Sequence, residues 1–369
     1  MRDLPNLLVC GCGSGGMAMA ADLALYGCRV SLYEFPDFKD NLDPIRRSGG
    51  IMLTGNTYSG KTGLARLEVI TDEAEEALRD VELIMINAPA MAVDGIVAAL
   101  SPYFVEGQTV VVTTGYWASL RSRELLEKGN LLEKITFVEE NIMPYLSRKV
   151  GPAAAHIYNF KRDIRVSAWP ATRNPGAYEL LKRVYPQLIL SKHVLENNLH
   201  PGNPAVHAQI NIPKAEFFFE RSKEFRFYGE ISMCAGKLAD AFDQERIMVA
   251  RAFGCETITY LDWMRRAYGY EGGSLYEIFG NVTNPHTRRW TNDGGNRRVL
   301  REDLCYFFVP LEQLAEVVGI EVPVTKAIIE ILRIFADFDY RAHGVGLKDL
   351  GLAGLGRDQI IEFVTHGKA

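Results

Sequence analysis

The sequence predicts an α/β protein, with a doubly wound parallel sheet in its first half and helices in its second. Three observations carry this. Short apolar runs alternate with helical patterns from Leu7 to Val138. A glycine string, Gly11-Cys-Gly13-Ser-Gly15-Gly16, joins the first apolar run to the first helical one. From Lys192 onward the long patterned segments are all helical.

Taken in order, Leu7–Cys10 reads as a strand, Gly16–Tyr26 as a helix, Arg29–Glu34 as a strand and Phe38–Arg47 as a helix. Ile51–Thr54 and Ala65–Ile70 read as an inserted β-hairpin, before a helix opening at Asp72 with Glu75 completing a capping box. Val81–Ile86, Thr109–Thr113 and Ile135–Val138 follow as strands, separated by helices at Met91–Leu100 and Ala118–Lys128. Strands alternating with helices of this length predict βαβ units and a parallel sheet. Strands as uniformly apolar as Leu-Ile-Met-Ile suit a sheet covered by helices on both faces. The aromatic-rich stretch His156–Trp169 reads as extended. The second half is read as helices at Ala205–Arg221, Ser232–Phe253, Ile258–Tyr268, Glu312–Val318 and Val324–Phe338. The boundary falls near residue 190, giving domains of 1–190 and 191–369.

Composition narrows the function. With 47% hydrophobic and 24% charged residues the chain is that of a packed globular protein. A net charge of −5 disfavours a nucleic-acid partner engaged through bulk charge. No signal peptide is read at the N-terminus, and the most apolar window, Val81–Leu100, is interrupted by Glu82, Asn87, Pro89 and Asp94. A cytoplasmic protein without a membrane span is expected. The six cysteines include Cys10-Gly-Cys12 but no CxxC and no nearby histidine, so neither a disulfide framework nor a metal site is predicted.

Gly11, Gly13 and Gly16 form G-x-G-x-x-G between a strand and a helix, the setting in which the string binds a dinucleotide. Gly11 permits the turn, Gly13 lets backbone approach the pyrophosphate, and Gly16 lets helix and strand pack closely. Ser14 and Gly15 belong to the same loop, and Pro89 follows the Val81–Ile86 strand toward the same cofactor. Glu34, ending the second strand, is placed to bind the adenosine ribose. A 2′-phosphate about 4 Å from that carboxylate costs on the order of 4 kcal/mol per charge pair, so NAD is expected, with NADP as the alternative. Lys39, Arg46 and Arg47 lie downstream and would soften that preference. Gly55-Asn-Thr-Tyr-Ser-Gly60-Lys61-Thr62 matches a Walker A string, but the residues after Thr62 alternate like a strand, so it reads as a hairpin turn.

In Asn197-Asn198-Leu199-His200-Pro201, His200 sits on a constrained turn before Asn203-Pro204, which resembles a helix start. A lone histidine is more often structural than catalytic, and His193 and His207 are weaker candidates. Arg298-Val-Leu-Arg-Glu-Asp303 reads on its own as solvated, Asp243-Gln-Glu245-Arg246 as a charged helix face, and Phe225-Arg-Phe-Tyr228-Gly as an aromatic packing knot.

The chain resembles the octopine/nopaline (opine) dehydrogenases over nearly its whole length. The resemblance rests on GCGSGG, IRRSGGIMLTG at 45–55, EENIMPY at 139–145, NNLHP at 197–201, FRFYGE at 225–230, DQERIMVARAFG at 243–254 and REDLCYFFVPLEQLAEVVG at 301–319. It implies a Rossmann domain followed by an all-α domain similar to that of 6-phosphogluconate dehydrogenases, with the active site in the cleft between them. It implies NAD(P)H-dependent reductive condensation of an amino acid with a 2-keto acid, and leaves a homodimer open. His200 matches the catalytic histidine, Asp303 the acid that pairs with it, and Arg298 the arginine holding the keto-acid carboxylate. Asn197 and His207 are expected at the substrate. His207 departs from the family, where Asn is frequent seven residues after the histidine. An imidazole suits a general acid near neutral pH, a neighbouring carboxylate orients it, and an arginine offers a carboxylate a bidentate fork. A ketopantoate-reductase-like enzyme and a non-catalytic dinucleotide sensor are the alternatives.

Overall fold

The computed structural model describes residues 4–219, 225–282, 290–291 and 295–368. The chain forms two compact units, 1–197 with 365–367, and 198–364 with 368–369.

The first unit is built on an eight-stranded sheet. Its order is Ile189–Leu190, Arg165–Trp169, Thr136–Glu140, Thr109–Val112, Leu83–Ile86, Leu7–Cys10, Val30–Tyr33 and Val69–Thr71. All neighbours run parallel except Arg165–Trp169, which is antiparallel to Thr136–Glu140. Residues of Leu7–Cys10, Leu83–Ile86 and Thr109–Val112 are buried throughout, as strands covered on both faces must be. Register aligns Cys10 with Tyr33 on one side and Ile86 on the other. The loops that follow these strands therefore leave one edge together. From Leu7–Cys10 the chain steps to Val30–Tyr33 and returns on the far side at Leu83–Ile86, which makes this edge the switch point of a doubly wound sheet.

Helix Ser14–Tyr26 is buried at every position from Gly15 to Leu23. It packs against the main sheet and also against a second, four-stranded sheet. That sheet has the order Gly63–Ala65, Ile51–Gly55, Ala154–Phe160, Tyr145–Gly151. The expected hairpin exists, but its return strand is Gly63–Ala65. Val69–Thr71 instead joins the main sheet beside Val30–Tyr33, because its short apolar run finds an open parallel edge there. The capping box at Asp72 does not form. The helix is Ala74–Ala77, Thr71 Oγ1 accepts the Glu73 amide, and Asp72 pairs with Arg46 at 3.1 Å.

The second unit is helical about Met233–Ala252, capped by Ser232 Oγ, which accepts the Ala235 amide at 3.1 Å. The segment expected as one helix over 205–221 is broken into His207–Asn211, a 3-10 turn at Ile212–Lys214 and Ala215–Phe219, since Pro213 lacks the amide a continuous helix needs. Its last two residues, 220 and 221, lie outside the described residues, as do 1–3 at the N-terminus. The charged stretch read as solvated is a helix, Gly295–Asp303, continuing through a wide π turn at Leu304–Phe308 into Val309–Val317. Among the described residues no helix is long and apolar enough to cross a membrane.

Candidate active site

In the first unit the glycine string lies on the switch-point edge. Gly11 has φ +108°, and a Cβ there would meet the Asn87 carbonyl oxygen at 2.4 Å. A Cβ on Gly16 would lie 1.8 Å from the Gly11 carbonyl oxygen, so only glycine lets the helix start this close to the strand. A Cβ on Gly15 would meet Met143 and the Asn87 side chain. Gly13 differs: it precedes the helix in extended conformation and a Cβ there meets nothing within 4 Å. The space over Gly13 is thus open while its neighbours are packed, which is the form of a phosphate cradle at a helix N-terminus.

Glu34 reaches into this loop. Its Oε2 accepts the Cys12 amide at 2.9 Å and its Oε1 the Phe35 amide at 3.0 Å, leaving each oxygen a further lone pair for a hydroxyl. Ser14 Oγ accepts the Lys149 amide at 3.0 Å. Lys149, which sequence reasoning missed, approaches the loop from the second sheet, with Nζ 3.5 Å from Asn41 Oδ1. Pro89 precedes helix Ala90–Leu100 on the same edge. Arg46 is committed to Asp43, Asp72 and the Ile70 carbonyl.

The Walker-like string is a turn. The amides of Tyr58 and Ser59 donate to the carboxylate of Asp22, a buried residue of helix Ser14–Tyr26, at 2.8 and 3.0 Å. Lys61 Nζ donates to the Leu25 carbonyl, and a strand follows. Burial pushes the Cys10 and Cys12 thiols well up, with Glu34 adding to it. No cluster of potential metal ligands occurs among the described residues.

Asn197 is fully buried. Its amide donates to the Glu139 carbonyl at 3.1 Å and its Oδ1 accepts from Ser191 at 3.5 Å, so it ties the segment before His200 to the strand Thr136–Glu140.

In the second unit, His200 follows helix Val194–Asn198 on a buried turn and is 2% exposed. Arg246 holds that turn. Its guanidinium donates to the carbonyls of Leu199 and Ile258 and to Thr257 Oγ1, at 2.5, 2.7 and 2.7 Å, and is paired with Asp243 at 2.7 Å. Glu245 accepts the amides of Val324 and Thr325, fixing the start of helix Pro323–Ala336. Asp243, Glu245 and Arg246 of the segment read as a charged helix face are therefore buried and hold backbone groups of neighbouring elements.

Asp303 is 1% exposed, and its Oδ2 lies 2.8 Å from His207 Nδ1. On the far side of that ring, Nε2 lies 2.7 Å from the Tyr228 hydroxyl. Tyr228 stacks on Phe279 with centroids 5.4 Å apart, and Phe227 meets the His207 ring edge-on at 5.6 Å. The supposed packing knot thus carries a hydroxyl into the buried polar set. Arg298 is exposed and paired with Glu302 at 3.3 Å. Five residues along a helix amount to about 140° of rotation, which is why Asp303 faces inward while Arg298 faces water.

Comparison with known proteins agrees with this architecture. The family model for the NAD/NADP octopine/nopaline dehydrogenase α-helical domain matches residues 190–335. An opine dehydrogenase from Arthrobacter sp. (strain 1C) is 29% identical over 96% of this chain and 97% of its own length. Among solved structures, octopine dehydrogenase with NADH and L-arginine superposes with TM-score 0.75 at 18% identity, covering 99% of this chain and 98% of that one. Yersinopine dehydrogenase with NADP+ gives 0.70 at 15% identity, covering 99% of each.

Proposed function

We propose, from the premise that this chain belongs to the NAD/NADP octopine/nopaline dehydrogenase family, that it reductively condenses an amino acid with a 2-keto acid. The observation that carries the reading is the match of the helical half. A glycine cradle on a parallel sheet serves reductases of many kinds, whereas the helical half is what distinguishes this family from them.

The bound nicotinamide supplies or accepts hydride. Gly11, Gly13, Ser14, Gly15 and Gly16 form the cradle for its phosphates, with Pro89 beside them and Glu34 accepting from the ribose. Arg46 is occupied by two carboxylates and does not offset the charge of Glu34 toward a 2′-phosphate, and NAD is the preferred form. His200 is the proton donor in reduction and the acceptor in oxidation. Asp303, whose Oδ1 is not engaged by His207, orients it. Arg298 releases Glu302 to take the keto-acid carboxylate, since an exposed ion pair is worth only about 0–1 kcal/mol and exchanges readily. Asn197 and His207 shape the substrate site. We assign residues 1–190 to the nucleotide and 191–369 to the substrate, and place the protein in the cytoplasm, with a homodimer as the assembly to test.

The test is NADH consumption across a matrix of amino acids and 2-keto acids. Oxidation only when both are present supports the reading. Turnover with a keto acid alone identifies a simple ketoreductase, and nucleotide binding without turnover identifies a sensor.

A further inference from the structure

We infer that Asp303, His207 and Tyr228 form a second proton-handling unit, which shares Asp303 with His200 through the other carboxylate oxygen, with the Tyr228 hydroxyl as its substrate-facing end. This rests on the condensation reading above and assigns the step that precedes hydride transfer.

The geometry is that of a relay. Asp303 and His207 are buried, at 1% and 5% exposure, and Tyr228 is partly open. An ionised carboxylate only accepts, so the ring presents Nδ1–H to Asp303. That leaves Nε2 as an acceptor for the Tyr228 O–H, at 2.7 Å. Phe227 packs edge-on against the ring. Tyr228 is held by its stack on Phe279. One buried carboxylate, one imidazole and one hydroxyl therefore stand in line, with Tyr228 the partly open member.

Condensation needs such a unit. An amino acid arrives as an ammonium ion and must lose a proton before its nitrogen can attack the keto carbon. In the assigned step a substrate N–H bond breaks as a new O–H bond forms on Tyr228. The hydroxyl's own proton passes to His207 Nε2. The amine becomes neutral and the ring becomes imidazolium, with the Asp303 carboxylate as its counter-charge. When the carbinolamine collapses, the proton returns through Tyr228 to the departing hydroxyl group, which leaves as water, and the C=N bond forms. No proton is gained or lost over the two steps, and His200 serves the hydride step. Tyr228 would be the catalytic residue here, and His207 a positioning and relay residue.

Two substitutions separate relay from bracing. In His207→Asn the carboxamide Nδ2 replaces Nδ1 as donor to Asp303 but does not extend to Tyr228. Tyr228→Phe keeps the stack on Phe279 and removes the hydroxyl. The relay predicts that each lowers condensation kcat by about 10²-fold, within the range of general acid–base groups. The double variant should be little worse than either, since the groups act as a unit. NADH affinity by fluorescence should stay within twofold of wild type. If His207→Asn retains wild-type kcat, His207 only braces Asp303 and the proposal is overturned. Losses that multiply in the double variant overturn it too. An independent readout needs no turnover: ¹⁵N spectra of the histidines in the NADH complex, with His207 assigned by its absence in His207→Asn. The expected state is Nδ1–H with Nε2 an acceptor, shifting in Tyr228→Phe. An Nε2–H tautomer would refute the relay even if the condensation activity is as proposed. If no amino acid condenses, the functional reading fails and the tautomer still decides the relay.

Discussion

Replacing Gly13 by alanine separates the fold from the cofactor site. Gly13 has φ −74° and ψ −178°, an ordinary extended conformation, and an added Cβ meets nothing within 4 Å. The unliganded fold should accept it without strain. Loss of glycine entropy from the unfolded chain should even add about 0.4–1 kcal/mol. The space the methyl fills is where a cofactor phosphate would approach the backbone amides. Pushing the phosphate off one charge-assisted hydrogen bond costs about 1.5–3 kcal/mol. At 1.4 kcal/mol per decade, NADH affinity should fall roughly 10- to 100-fold. Titration by NADH fluorescence and a thermal melt of the free protein read the two effects separately. Gly16→Ala is the contrasting case: its Cβ would lie 1.8 Å from the Gly11 carbonyl oxygen, so both stability and affinity should fall. Unchanged NADH affinity in Gly13→Ala would refute the cradle, and a lowered Tm there would refute the statement that the space is open.

Three further outcomes follow from other parts of the molecule. Lys61→Ala should leave NADH-dependent activity within about twofold, because Lys61 donates to the Leu25 carbonyl and the turn's amides are used by Asp22; collapse of activity in a folded variant would contradict this. Arg298→Lys should raise the keto-acid KM by about tenfold or more without changing NADH affinity, since lysine lacks the bidentate fork, and a change confined to NADH affinity would remove Arg298 from the substrate site. The buried pair Glu140 and Lys161 sets a pH effect: burial holds the Lys161 ammonium down to about 7, with Glu140 opposing, and burial pushes the Glu140 carboxyl well above the usual carboxylate range, with Lys161 opposing. Between about pH 7 and 10 the unfolded chain binds the lysine proton that the folded chain has released, so this group adds stability as pH rises. Lys161→Met removes that contribution, so its Tm should fall relative to wild type from pH 7 to 9, by up to about 1.4 kcal/mol of stability per pH unit; parallel curves would refute the assignment.

Much of the first unit was legible because its signals are local. Apolar runs such as Leu83–Ile86 can only be central strands, and the glycine string needs no partner to declare its turn. The second sheet was half legible. The turn at Gly55–Gly63 showed in the sequence, but whether Gly63–Ala65 or Val69–Thr71 would pair back depended on an open edge that only the assembled sheet provides. In the second unit local signals misled. Asp243, Glu245 and Arg246 have the spacing of a solvated helix face, yet are buried because the carbonyls of Leu199 and Ile258 and the first-turn amide of Val324 need partners. The contacts among Asp303, His207 and Tyr228 span separations of 96 and 21 residues. Nothing in residue spacing announces them. The only sequence signal was a histidine at a position where the resembling family favours asparagine.

Condensation differs from simple keto-acid reduction in joining two molecules through a new carbon–nitrogen bond. The most direct measurement is mass spectrometry of the product formed with NADH carrying deuterium on the transferred position, an amino acid and a 2-keto acid. The expected product is a secondary amine containing both skeletons, with one deuterium on the carbon that was the keto carbon. A deuterated 2-hydroxy acid, with the amino acid recovered unchanged, would contradict it.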